Sequence, residues 1–559
     1  MNNLESLLCE RHARIVADVG FNAWIHIAEL EDLLALAGGV DPALPLYGKT
    51  FAVKDNIDVA GMSTTAACPS FAYTPDDSSP VVQALLDAGA ICMGKTHMDQ
   101  FATGLVGTRS PHGSCRNAFC DDMISGGSSS GSAVAVALGH VDFALGTDTA
   151  GSGRVPATFQ RLIGVKPTRG LLSTRGVVPA CASLDCVSIF TPDTGLAETI
   201  LDLVAHPDPG DPWSRSAPMT PSHAGPWRIG VADPDTLFFD GDISARDAYA
   251  GAIAQWKTLG HEMVTIDIRP FLEAAQLLYG GPWVAERYAA VGEFLEKGWD
   301  DLDPTVCKII LGGKNHGAVE TFRALEKLQG IRAEVAPLWD GMDMLMLPTV
   351  PTCYSLEAVR ADPIGLNSNL GTYTNFMNLL DLAAIAVPHG SFASGVPCGV
   401  TLMAPAFGDA FLLRAARVFH EDGKAEARGM VRLAVLGAHL RGLPLHHQLE
   451  DANARFVREV RTAPRYRFYA LPNSTPPKPG IVRVSEGGGS IWVETYDLTP
   501  EAFGRFVAKI PHPLGIGTLE LEDGEWVKGF ICEPAGIEGA TDITDLGGWR
   551  AFLAEFLRK

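Results

Sequence analysis

None of the 11 cysteines stands in a C-x-x-C pair. The closest pairs are Cys115/Cys120 and Cys181/Cys186, and the count is odd. This spacing gives no zinc site, and a chain of 559 residues does not need a disulfide framework. Reduced thiols in a cytoplasmic protein are the expectation. Basic residues are also scarce: 44 Lys and Arg face 65 Asp and Glu, a net charge of −21. That balance argues against nucleic acid and anionic membrane as partners. Long apolar runs are missing too. The run at 133–138 is too short to span a bilayer, and Asp142 lies just beyond it. Residues 1–10 lack the basic-then-apolar order of a secretory signal.

What the chain has in excess is serine and glycine at one place. Ile124-Ser125-Gly126-Gly127-Ser128-Ser129-Ser130-Gly131-Ser132 directly precedes an apolar stretch. Neither residue type drives burial, so the run needs another reason to exist. A phosphate cradle of the G-x-x-x-x-G-K-[ST] kind does not fit, because Ser132 stands where the lysine belongs. Residues 127–131 do read G-x-S-x-G around Ser129, yet that elbow needs a hydrophobic strand before it, and 119–123 make a poor one. A flexible linker is disfavoured by the ordered-looking apolar sequence that follows. A loop that presents a reactive hydroxyl remains.

Two other segments bear on that reading. Phe51-Ala52-Val53-Lys54-Asp55-Asn56 is an apolar strand that ends in a lysine and a polar turn. Phe143-Ala144-Leu145-Gly146-Thr147-Asp148-Thr149-Ala150-Gly151-Ser152-Gly153-Arg154 is another strand, running into a tight turn around a serine. With these segments the chain resembles the amidase signature family, which uses a Ser–cis-Ser–Lys triad. Residues 101–111 (Phe-Ala-Thr-Gly-Leu-Val-Gly-Thr-Arg-Ser-Pro) and 166–179 are similar to its allophanate-hydrolysing branch.

The resemblance covers about residues 20–425 and assigns roles residue by residue. Lys54 is the base, Ser128 the bridging serine with a cis peptide, and Ser152 the nucleophile. The backbone N–H groups of Thr149, Ala150, Gly151 and Ser152 form an oxyanion hole. Tyr279 and Arg287 bind substrate. It implies an amidohydrolase that cleaves allophanate through an acyl-enzyme and releases ammonia. The remaining N-carboxycarbamate then decarboxylates to ammonia and carbon dioxide. No metal and no organic cofactor is implied. A small anionic amide is the expected substrate, with a functional link to a urea carboxylase and a homodimeric assembly. Two rivals stand beside this reading: an amidase for another small amide such as malonamate, and a non-catalytic subunit of amidase fold.

Each assignment has a plainer alternative. Lys54 alone would read as a surface lysine at a strand end. Ser128 alone would read as a turn serine, although a helix-capping role suits Ser130 or Ser132 better. Asp148 and Arg154 read as braces of their turn. Arg287 could pair with Glu286. The chemistry sets one requirement: serine is a weak nucleophile until a base takes its proton. A lysine with the usual pKa of about 10.4 can do so only if its site favours the neutral amine.

The fold expectation is an α/β amidase signature fold, a mixed central sheet covered by helices, over residues 1–425, with 1–40 a helical N-terminal part. Helical spacing of Ile25, Ile27, Leu30, Leu33 and Leu34 predicts helix across 4–37. Residues 205–227 read as a loop. The charged segment 419–430 reads as the domain boundary. Residues 426–559 form a smaller β-rich domain, with strands at 432–437, 466–471, 481–484, 491–496 and 527–532. Within it, 435–442 and 463–469 resemble a γ-glutamyl cyclotransferase-like barrel, without that family's acidic catalytic residue. His439 there is a candidate for the second, decarboxylating step.

Overall fold

The computed structural model describes residues 3–218, 226–428, 431–452, 454–472, 478–498 and 500–556. Part of the expected loop (219–225) and the end of the expected boundary segment (429–430) lie outside the described residues. The chain forms two compact units, Met1–His420 and Glu421–Lys559.

The first unit is built on one mixed sheet of eleven strands. They are β1 (Trp24–Ile27), β2 (Thr50–Lys54), β3 (Ile91–Thr96), β4 (Phe143–Asp148), β5 (Ile163–Lys166) and β6 (Cys186–Thr191), then β7 (Arg228–Ala232), β8 (Glu262–Ile266), β9 (Met344–Pro348), β10 (Leu382–Ser391) and β11 (Pro397–Pro405). Their spatial order is β1-β3-β2-β4-β6-β5-β10-β11-β9-β7-β8. The centre of the sheet is buried on both faces, which is why its strands read as continuous apolar runs. Alternation along each strand divides the core. Phe51, Val53, Phe143, Leu145, Val187 and Ile189 enter one apolar cluster, while Ala52, Ala144 and Phe190 enter the cluster on the other face. Phe51 and Phe143 stack at 5.2 Å between ring centroids.

One expectation needs correction. The N-terminal segment is not one helix: helices Asn3–Ala17 and Leu30–Ala37 flank β1. Residues 24–27 pair antiparallel with β3, and this long-range ladder overrides a local spacing that reads as helical. The helix Asp409–Arg428 continues through the described part of the charged segment 419–430, within which the two units divide at His420/Glu421.

The second unit has a five-stranded sheet and a three-stranded sheet. Its strands are β12 (Val431–Val435), β13 (Arg455–Arg461), β14 (Tyr466–Ala470), β15 (Pro479–Arg483), β16 (Trp492–Leu498), β17 (Leu514–Glu520), β18 (Trp526–Cys532) and β19 (Thr541–Asp542). Sequence reading misses β13, β17 and the short β19. β13 carries three arginines and β17 two glycines, and both pair at the edges of their sheet. Leu433, Val435, Tyr466, Phe468, Val493 and Trp549 belong to an apolar cluster confined to this unit. Among the described residues no helix is long and apolar enough to cross a membrane.

Because each unit encloses its own core, a chain ending after Arg428 is expected to fold alone. Calorimetry should show one cooperative transition for it. A product with native-like helix content and no cooperative melting contradicts the separateness of the cores.

Candidate active site

The parallel pairing of β2 with β4 decides where the chemistry lies. Phe51, Ala52 and Val53 pair with Phe143, Ala144 and Leu145, so both strands end at the same edge of the sheet. Lys54 ends β2, and Thr147 and Asp148 end β4. Loops at the carboxyl ends of parallel strands are where α/β sheets place their ligands. The serine-rich run enters the same space and continues as the helix Ser130–Ala137.

Most of those serines hold the loop in place. Ser129 Oγ donates to the carbonyl of Thr147 at 3.1 Å and accepts from its N–H at 3.3 Å. Ser132 Oγ donates to Leu145 O at 2.9 Å, and Ser130 Oγ lies 2.9 Å from His97 Nδ1. The elbow reading around Ser129 therefore fails, since that hydroxyl is tied to the neighbouring strand. Capping by Ser130 or Ser132 fails as well: residue 129 is the N-cap, and no side chain caps this helix. Gly127 is required by space, because a Cβ there would sit 2.2 Å from Asp99 Oδ2.

Ser128 is different. Its peptide bond to Gly127 is cis. Lys54 Nζ donates to Ser128 Oγ at 2.8 Å, and Ser128 Oγ donates to Ser152 Oγ at 2.9 Å. Lys54 Nζ also donates to Thr147 Oγ1 at 2.7 Å. Thr147 is a site residue that sequence reading passes over; its place on β4, one residue before Asp148, was the available signal. Lys54 and Ser128 are fully buried, and Ser152 is 2% exposed.

Burial lowers the Lys54 pKa from its usual value to about 7. The carboxylates of Asp99, Asp185 and Asp148 oppose that shift, and the charge of Arg287 assists it. None of the three carboxylates forms an ion pair with the lysine, because each is committed elsewhere. Asp99 accepts the N–H groups of Val106, Gly107 and Arg109 at 3.1, 3.0 and 3.0 Å. Asp185 accepts Thr149 Oγ1 and the N–H groups of Ala180 and Cys181. Asp148 receives Arg154 on both oxygens at 2.8 Å, and Arg154 holds its carboxyl below the usual range against burial. Asp148 and Arg154 thus brace the turn.

The oxyanion-hole expectation is corrected at one position. Gly151 N–H donates to Asp148 Oδ1 at 3.0 Å, so it is not available to a ligand. The N–H groups of Thr149, Ala150 and Ser152 make no hydrogen bond among the described residues. Gly151 serves through its backbone instead: its φ is +143°, and a Cβ would meet Thr374 Oγ1 at 2.5 Å. Asn378, also missed from sequence, pins this corner by donating Nδ2 to Asp148 O at 2.7 Å and Leu184 O at 2.8 Å.

Arg287 is 1% exposed and does not pair with Glu286, whose carboxylate accepts from Ser183 N at 3.2 Å. Its Nη1 donates to Thr103 Oγ1 at 3.0 Å and Ala102 O at 3.3 Å, and its Nη2 to Tyr279 OH at 3.2 Å. Burial works against its charge, but the Tyr279 hydroxyl, Cys181 and the acids Asp185 and Glu286 outweigh it, and the guanidinium stays protonated. Tyr279 and Arg287 are thus brought together, with the arginine's field reaching Lys54.

His439 belongs to the second unit. Its Nε2 lies 3.2 Å from Gln448 Oε1, and its ring packs 5.2 Å from both Phe506 and Phe530. Burial lowers its pKa, so the ring is neutral at pH 7. It lines a cavity of about 250 Å³ together with Gln448, Lys478 and Lys509. The eleven cysteines are free thiols.

Comparison with known proteins gives the family. Residues 16–413 match the Amidase family and residues 431–554 the Allophanate hydrolase C-terminal domain. A urea amidolyase of Saccharomyces cerevisiae is 45% identical over the whole chain, although the chain spans only 32% of that protein. A urea amidolyase of Lachancea kluyveri is 47% identical over 92% of this chain, which spans 30% of its length. The crystal structure of Kluyveromyces lactis allophanate hydrolase superposes with a TM-score of 0.73 at 42% identity, covering 100% of this chain and 97% of that one. The chain therefore belongs to the amidase signature family and carries an allophanate hydrolase C-terminal domain behind its amidase fold.

Proposed function

We propose that this chain is an amidohydrolase that cleaves allophanate. The observation that carries the reading is the unbroken path from Lys54 through Ser128 to Ser152, with a lysine whose pKa burial lowers to about 7. Ser152 Oγ attacks the terminal carboxamide carbon of the substrate. Its proton passes to Ser128, which gives its own to Lys54. The oxyanion gathers onto the N–H groups of Thr149, Ala150 and Ser152, each worth about 2.7–4 kcal/mol of transition-state stabilisation. On collapse the proton returns to the leaving nitrogen and ammonia departs. Water then releases N-carboxycarbamate from Ser152 by the same relay. Arg287, oriented by Tyr279 and Thr103, holds the substrate carboxylate.

We assign the decarboxylation that follows to the second unit, with His439 in its cavity as the candidate group. A dianion would suit the neighbouring Lys478 and Lys509. For this unit we also infer kinship with the γ-glutamyl cyclotransferase-like barrels. That inference rests on residues 435–442 and 463–469 and carries no activity over. The resemblance to urea amidolyases supports a functional link to a urea carboxylase and a role in urea degradation; a cytoplasmic setting is our reading of the reduced thiols. A homodimer is part of the same reading.

The panel that tests the assignment is ammonia release from allophanate, malonamate, biuret, urea and simple amides. Allophanate should be the preferred substrate, and no release from any of them would leave a non-catalytic role.

The rate should fall roughly tenfold per pH unit on the acid side. The sign follows from the base: below about pH 7 Lys54 becomes an ammonium and cannot accept a proton. A kcat that stays flat to pH 5 in folded protein contradicts a lysine base.

Arg287→Lys should reduce kcat/KM for allophanate by roughly tenfold or more, with a far smaller effect on a neutral amide, because a point charge cannot reproduce a two-pronged contact. Equal losses on both substrates would make Arg287 structural.

His439→Ala should leave the first ammonia unchanged and slow carbon dioxide release, the intermediate's unaided breakdown supplying the remainder. Unchanged kinetics for both products would remove His439 from the chemistry.

A further inference from the structure

A second buried arginine, bonded like Arg287 to Thr103, has no role so far. Arg109 is 3% exposed, and no described carboxylate pairs with its guanidinium. The guanidinium donates to two carbonyls only, Thr103 O from Nη1 at 2.9 Å and Pro363 O from Nη2, while Nε has no partner. Asp99 lies near the stem of this side chain, but its oxygens are taken by three backbone N–H groups. A buried cation without a counter-charge is costly, and an arriving anion relieves that cost.

The position of Arg109 says where such an anion would be. A cavity of about 220 Å³ is lined by Arg109, Tyr279, Val284, His316, Asn367 and Ser368. Tyr279 is the residue whose hydroxyl receives Arg287. The two guanidiniums also converge on one residue, Arg109 on Thr103 O and Arg287 on Thr103 Oγ1. Asn367 fixes the facing wall to the same loop by accepting Leu105 N–H at 2.8 Å. One arginine therefore lines this small space and a second is bonded to Tyr279 on its wall, neither paired with a described acid, in a protein of net charge −21.

We propose that Arg109 is a specificity-determining residue whose buried charge, acting with that of Arg287, makes this space select a carboxylate over its neutral isostere. The inference rests on the reading above that the substrate is a carboxylated amide. Both Nη nitrogens of Arg109 are committed to carbonyls, so its contribution is charge rather than a fork of hydrogen bonds. Lysine should replace it and glutamine should not.

Affinity in the full chain tests this, with Ser152→Ala as the parent so that ligand is not consumed. Allophanate is compared with biuret, in which a carboxamide replaces the carboxylate. Arg109→Gln in this background should weaken allophanate by roughly tenfold or more and change biuret by less than about threefold. Arg109→Lys should keep allophanate within about threefold of the parent. A folded Arg109→Gln protein with parental affinity for allophanate overturns the proposal, as does an equal loss on both ligands. If Arg109→Gln melts well below the parent, Arg109→Lys decides. Retained affinity supports the role of charge, and a tenfold loss overturns it. Failure of the unmodified chain to release ammonia from allophanate is a different outcome, which removes the functional reading and this inference with it.

Discussion

The burial of one ammonium group without an ion pair is the constraint on which the rest of the site depends. Lys54 sits at the end of a strand whose three preceding residues are fully buried, and its own side chain is reached by no solvent. Desolvation of a charged lysine in such a place costs several kcal/mol, which the amine avoids by losing its proton. Three aspartates nearby would undo this if they faced the lysine directly. Instead each is turned to backbone N–H groups, a hydroxyl or Arg154. The braces of the turn and the neutrality of the base are therefore one arrangement. Carboxylates that shape the loops around Ser128 and Ser152 are satisfied by those loops, and so leave the lysine poised.

Sheet topology supplies the rest. Because β2 and β4 run side by side and parallel, a lysine and a serine loop far apart in sequence meet at one edge. The serine-rich run is then drawn against both strands by Ser129 and Ser132, which fixes Ser128 between the two partners.

Much of this was legible in the sequence, for physical reasons. The apolar strand before Lys54 is consistent with burial, though a strand-end lysine alone reads as exposed and its role came from the family resemblance, and a strand that ends in a glycine-flanked serine announces a tight turn. What could not be read were choices made by tertiary partners. The run 124–132 gives no local sign of which hydroxyl is free, since Ser129, Ser130 and Ser132 are removed from the chemistry by β4 and by His97. Gly151 looks like an N–H donor until the orientation of Asp148 is known. Thr147 is a residue on a buried strand until Lys54 lies beside it. β1 followed the same rule, its helical spacing yielding to pairing with β3. The second unit was legible as strand-rich, but its edge strands, carrying arginines or glycines, lack a clean alternation.

In the proposed function an acidic protein takes an anionic substrate and needs locally buried positive charge, which Arg287 would supply beside Tyr279. The field of Arg287 also lowers the Lys54 pKa, so in that reading recognition and activation share an electrostatic source. The most direct test of the account is the titration of Lys54 itself. Carbon-13 labelling of the lysine ε-carbons, with the Lys54 signal assigned by its loss in Lys54→Met, would follow its protonation in the folded chain. The account predicts a midpoint of about 7. A midpoint near the ordinary lysine value of about 10.4, in protein that remains folded, would contradict it.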